Sequence, residues 1–156
     1  MNKDEFKKFL REFMYPHECE YEKGHYGDLN HVRFEDVKDD PGGVTKWGID
    51  YRAHRSIGIQ GIKDLTIDQA DEIYWKEWNQ YDAPELEAKL AMAYFDCQIN
   101  AGPGRAKQFL AKAKTVKTYL DEREAWYKRL VEAKPSSKKF LKGWLARVND
   151  LRHYLA

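Results

Sequence analysis

Asp39-Asp40-Pro41-Gly42-Gly43-Val44-Thr45-Lys46-Trp47-Gly48-Ile49 is the stretch on which the fold turns. Pro41 presets one backbone dihedral and Gly42 permits positive φ, so the segment opens as a sharp turn. Val44-Thr45-Lys46-Trp47 then reads as a short extended run, as does Val32-Arg33-Phe34 upstream. Between Tyr21 and Ile49 helical periodicity is lost and Gly24, Gly27, Gly42 and Gly43 accumulate, which predicts a small β-rich lobe.

On both sides the pattern is helical. Phe6, Phe9, Leu10 and Phe13 recur at helical spacing, with Lys7, Lys8, Arg11 and Glu12 between them. This first helix is expected to stop near Tyr15, because Pro16 disfavours the helical conformation of the residue before it. Downstream, Thr66 with Gln69 has the form of a capping box opening a helix through Ile73, Tyr74 and Trp78. More helices are expected from about Pro84 to Ala101, ended by Gly102-Pro103-Gly104, from Arg105 to Lys114, and around Trp126, Leu130 and Val131. A last helix follows Pro135-Ser136 with an apolar stripe of Phe140, Leu141, Trp144, Leu145, Val148 and Leu151. The expected class is α+β, mainly α.

The 156 residues suit one domain with a substantial core. Lys+Arg of 27 against Asp+Glu of 26 leaves almost no net field, which argues against nucleic acid as a partner. Met1-Asn2-Lys3-Asp4-Glu5 leads straight into a charged amphipathic pattern without a signal-type apolar region, and nothing later is apolar enough to span a bilayer. The expectation is synthesis in the cytoplasm, no stable membrane insertion and a monomer. Two cysteines, Cys19 and Cys97, are too few for a disulfide framework and read as reduced thiols, with pairing left open. The five histidines show neither H-E-x-x-H nor any other familiar ligand spacing, so no metal and no cofactor is expected.

Four segments, in order, resemble glycoside hydrolase family 108, the N-acetylmuramidases of bacteriophage lysins and bacterial secretion loci. They are His17-Glu18-x-x-Tyr21, Asp40-Pro41-Gly42-Gly43-x-Thr45-x-x-Gly48-Ile49, Phe95-Asp96-Cys97-Gln98-Ile99-Asn100-Ala101-Gly102 and Phe140-Leu141-Lys142-Gly143-Trp144-Leu145-x-Arg147-Val148. Two features depart from the family pattern: Cys19 and Glu20 replace its paired glycines, and a longer insert, Glu22 to Asp39, precedes the turn. The resemblance implies a single lysozyme-like domain over 1–156. Residues 1–101 would form its catalytic part, and 102–156 a helical part like the family's peptidoglycan-binding segment. The implied substrate is peptidoglycan, cut between N-acetylmuramic acid and N-acetylglucosamine, with a holin or another export route carrying the enzyme to the wall.

Glycoside cleavage needs a carboxylic acid that protonates the leaving oxygen and a second group that handles water or the developing cation. The family pattern makes Glu18 the proton donor, with Glu22 its rival. Without that pattern, Glu18 reads as one solvated acid in a cluster with Glu20 and Glu22. Asp40, in register with the family's turn, would position water or stabilise the oxocarbenium-like centre, and Thr45 would hold the water. A threonine-held water implies direct displacement and hence inversion. Gly43 would let a sugar approach the backbone closely. Tyr21, Trp47 and Tyr26 are candidate stacking platforms. Asn100, with Asp96 one helical turn before it, is either a cleft residue or a buried helix anchor. Two alternatives have other chemistry: a zinc-dependent peptidoglycan amidase, or a non-catalytic wall-binding or regulatory module on the same scaffold.

Overall fold

The computed structural model describes residues 1–36 and 43–156, which cluster into two compact units, Met1–Glu77 and Trp78–Ala156. The fold is mainly helical with one small antiparallel sheet, the lysozyme-like α+β class expected.

In the first unit, α1 (Lys3–Phe9) starts at a capping box in which Asn2 Oδ1 accepts from the Glu5 N–H at 2.9 Å and the Asn2 N–H donates to Glu5 Oε2 at 2.8 Å. The helix does not stop at Tyr15. It passes through a π turn (Leu10–Met14) into α2 (Tyr15–Glu18), ending at the extended Cys19. The π turn breaks the α register before the proline, so Pro16 falls in the first turn of α2, where a missing N–H costs little. Glu18 is thus the last helical residue rather than part of a trailing turn. Phe6, Phe9, Leu10, Phe13, Met14 and Tyr15 are buried beneath it.

The β-lobe is minimal. β1 (Thr45–Lys46) pairs with β2 (Ile49–Asp50), and isolated bridges join Tyr21 to Val32 and Glu35 to Thr45. After α3 (Ile59–Lys63), the expected capping box opens α4 (Ile67–Gln80): the Gln69 N–H donates to Thr66 Oγ1 at 3.2 Å and the Thr66 N–H to Gln69 Oε1 at 3.0 Å. Within the same unit His54 spans two elements, its Nδ1 3.0 Å from Asp50 O and its Nε2 2.9 Å from Glu77 Oε1.

The hydrogen bond to Glu77 outweighs partial burial and raises the His54 pKa. A raised native value contributes stability that is complete below the unfolded imidazole value, near 6.5, and is lost as pH rises through the native one. His54→Gln therefore lowers Tm more at about pH 5.5 than at about pH 8.5, which paired thermal melts at the two pH values check.

In the second unit α5 (Ala88–Ala101) opens on Glu87, whose carboxylate accepts from the Lys89 and Leu90 N–H groups, and closes on Gly102 at φ 93°. Gly102-Pro103-Gly104, expected only as a stop, also starts α6 (Pro103–Lys112), since proline suits a first helical turn. α7 (Val116–Ala133) is capped by Thr115, and α8 (Lys138–Tyr154) completes the unit. Its core holds Tyr94, Phe95, Phe109, Tyr119, Leu120, Tyr127, Val148 and Leu151, and at its centre the fully buried Asp96 pairs with Arg123 at 2.7 Å and Arg147 at 2.6 Å.

The apolar stripe of α8 is buried only in its second half. Trp144, in the middle of that stripe, is half-exposed, stacked on Tyr127 at 5.0 Å, and Phe140 is 51% exposed. The two cysteines are buried free thiols. Among the described residues, no helix is long and apolar enough to cross a membrane.

Candidate active site

Trp47 and Gly48 form the two-residue loop of the β1–β2 hairpin, with φ of 58° and 75°. Positive φ at both loop positions is the type I′ geometry that matches strand twist. Gly48 meets it without strain; Trp47 does not, at a cost of about 1–2 kcal/mol. Three contacts hold the loop there. The indole N–H of Trp47 donates to Leu65 O at 2.9 Å, its carbonyl accepts from the Tyr74 hydroxyl at 2.8 Å, and its ring meets Tyr15 edge-on at 5.3 Å. Tyr15 in turn donates to the fully buried Asp71 at 2.7 Å, which Arg11 also pairs at 2.6 Å.

This frame seats the hairpin against Glu18. A Cβ on Gly48 would lie 2.9 Å from Glu18 Cβ, 3.3 Å from Glu18 Oε2 and 2.6 Å from the Tyr74 hydroxyl. The glycine is therefore required twice, for its dihedral and for the close approach of backbone to carboxylate. Gly48→Ala should cost about 2–5 kcal/mol from strain and overpacking together, and it should displace Glu18. Gly24→Ala is the matched control, because Gly24 has φ 85° but nothing within 4 Å, so only the dihedral cost of about 1–2 kcal/mol remains. Urea denaturation of both variants checks the difference.

Glu18 is half-buried, whereas Glu20 and Glu22 are exposed. Burial raises the Cys19 thiol pKa, with the charges of Glu18, Glu20 and Glu35 adding to it, so the thiol beside Glu18 stays protonated and inert. Thr45 donates its hydroxyl proton to Gly43 O at 2.9 Å, which leaves its oxygen lone pairs as acceptors. Glu35, which the motifs did not single out, exchanges both backbone hydrogen bonds with Thr45 at 2.8 and 3.0 Å. The two side chains therefore share a face of the ladder. Burial, and then the charge of Glu20, raise the Glu35 pKa against the opposing effect of Arg33. Only the alternation around Phe34-Glu35-Asp36 hinted at it, and alternation alone does not identify an acid.

The remaining candidates fall in different places. Asp40 lies outside the described residues. Tyr21 is half-buried, its hydroxyl 3.3 Å from Tyr15 O and its ring edge-on to Tyr26, which is 82% exposed. Trp47 is only 6% exposed and anchors the hairpin instead of offering an open platform. Asn100 lies in the second unit, where its side-chain oxygen accepts from Arg123 at 3.1 Å and from the Tyr127 hydroxyl. It acts there as a helix anchor.

The family profile of glycosyl hydrolase 108 matches residues 32–102. Over these residues the chain is similar to that family. The match takes in Gly43, Thr45 and Gly48, together with Glu35 and the Phe95–Gly102 segment. It covers neither Glu18 nor α8, so the case for Glu18 rests on its packing against Gly48. No curated protein matches the chain. Beside the hairpin that carries Thr45 the chain holds two half-buried carboxyl groups, Glu18 and Glu35.

Proposed function

We propose that the chain is a peptidoglycan hydrolase, an N-acetylmuramidase of the lysozyme type, that cuts the β-1,4 bond between N-acetylmuramic acid and N-acetylglucosamine. The observation that carries this reading is the seating of Glu18 against Gly48 of the family's turn motif, which ties an acid at a helix end to the matched segment. Glu18 donates a proton to the leaving oxygen. A water, accepted by Thr45 and deprotonated by a carboxylate, attacks the opposite face of the sugar. A hydroxyl whose own proton is committed to Gly43 O can only accept from that water, which fixes its orientation. Asp40 keeps its family role as the base or stabiliser, and Glu35, across the ladder from Thr45, shares that face. Gly43 and Tyr21 border the sugar, and the exposed Tyr26 offers a ring to it.

Direct attack by water predicts inversion. Proton NMR of the first product formed from soluble peptidoglycan fragments should show the α-anomer at the new reducing end. Initial β-anomer would indicate retention through a covalent intermediate, and no new reducing end would remove the glycosidase reading. The half-exposed Phe140 and Trp144 of α8 fit a wall-binding role for the C-terminal segment. In this account release through a holin or another export route delivers the enzyme to the wall.

A further inference from the structure

The insert that separates Glu18 from the matched turn has a three-residue rhythm, Glu22-x-x-His25-x-x-Asp28-x-x-His31. Each step closes a turn. The His25 N–H donates to Glu22 O at 2.9 Å, the Asp28 N–H to His25 O at 3.0 Å and the His31 N–H to Asp28 O at 2.9 Å. Gly24 and Gly27 occupy the third position of the first two turns at φ 85° and 82°, the conformation that position requires in a type II turn. The Glu22 N–H then closes the arm onto His31 O at 2.9 Å, next to the Tyr21–Val32 bridge. Successive turns thus bring together side chains whose sequence spacing resembles no helical ligand motif. The His25 and His31 rings stack at 3.7 Å, and one ligand atom from each of Glu22, His25 and His31 lies within 4.8 Å of the others.

The geometry points to a zinc site formed by Glu22, His25 and His31. Two imidazoles and one carboxylate are a donor set that zinc favours, with water completing a tetrahedron. Ligand nitrogens around such an ion stand about 3.4 Å apart, and the two rings, stacked within 13° of parallel, must tilt for their in-plane lone pairs to meet at the metal. Asp28 supplies the supporting contact that metal-binding histidines ordinarily have. Its carboxylate lies 2.8 Å from His31 Nδ1, which places the proton on that nitrogen and leaves Nε2 as the ligand. The same carboxylate accepts from the Asn30 N–H at 2.9 Å, which fixes its position. Zinc bound here staples the arm beside Glu18 and takes no part in bond cleavage.

Calorimetric titration of the chelator-stripped full chain with zinc chloride tests this. One zinc per chain is expected. His25→Ala and His31→Ala should each weaken binding about 100-fold or more, and Asp28→Asn about 10-fold. His153→Ala, on α8, should leave binding unchanged. Glu22 and His25 are exposed and His31 half-exposed, so the variants should keep the fold, which circular dichroism verifies. As an independent reading, zinc should slow tryptic cleavage after Lys23 in the wild type and not in His31→Ala. Absence of zinc uptake, or uptake that survives both histidine substitutions, would overturn the site. Neither assay reads glycosidase activity, so the result stands apart from the proposed function.

Discussion

Glu18→Gln should lower the rate of glycoside cleavage by roughly two to four orders of magnitude, the contribution of a positioned general acid, with Tm essentially unchanged. The carboxamide has the shape of the carboxylate and packs equally well against Gly48, but it has no proton to give to the leaving oxygen. Glu22→Gln should stay close to wild-type activity, because Glu22 is exposed on the arm while Glu18 is half-buried against the hairpin. Release of reducing ends from purified peptidoglycan, measured beside thermal melts, separates a chemical defect from a folding one. Loss in Glu22→Gln with activity kept in Glu18→Gln would move the acid to the arm.

Asp96→Ala should cost about 3–5 kcal/mol, a large part of the 5–15 kcal/mol that holds a typical domain together. The removed carboxylate is the partner of two buried guanidinium groups: Arg123 reaches it at 2.7 Å, and Arg147 through Nη2 at 2.6 Å and Nε at 3.2 Å. Without it, two buried cations lose the carboxylate they share, while Tyr127 and Asn100 stay beside Arg123. Replacing all three charged residues by apolar ones of similar volume should cost much less, because no orphan charge is left. Burial opposes ionisation of Asp96, but the charges of Arg147 and Arg123 overcome it and hold the native pKa below the usual carboxylate range. A depressed native value means the stabilisation is complete above the unfolded value, about 3.9, and is lost as pH falls through the native one. Urea unfolding across about pH 2–6 should show that acid loss in the wild type and its absence in Asp96→Ala.

Features set by near neighbours were legible in the sequence. Thr66 with Gln69 marked the start of α4, and the loss of helical period after Tyr21 marked the β-lobe. Features set by packing were not. The helix crosses Pro16 because a π turn resets its register, and nothing in the residue types announces that. Trp47 lacks the signature of a type I′ position; Leu65, Tyr74 and Tyr15 hold it there, each distant in sequence. Asp96 and Asn100 were ambiguous between cleft and anchor until Arg123 and Arg147 appeared beside them, 27 and 51 residues from Asp96. His25 and His31 looked unrelated because their approach depends on turns rather than on helical spacing. Glu35 escaped notice because its value lies in the strand partner it meets. Asp40, on which the family pattern leans, lies outside the described residues, so its part rests on the motif alone.

The central claim, that Glu18 and the hairpin form a muramidase centre, is tested most directly by mass spectrometry of borohydride-reduced fragments from purified peptidoglycan digested by the chain. Fragments ending in reduced N-acetylmuramic acid are expected from the wild type and should be missing with Glu18→Gln. Fragments ending in reduced N-acetylglucosamine, peptides freed from intact glycan strands, or an undigested wall would contradict it.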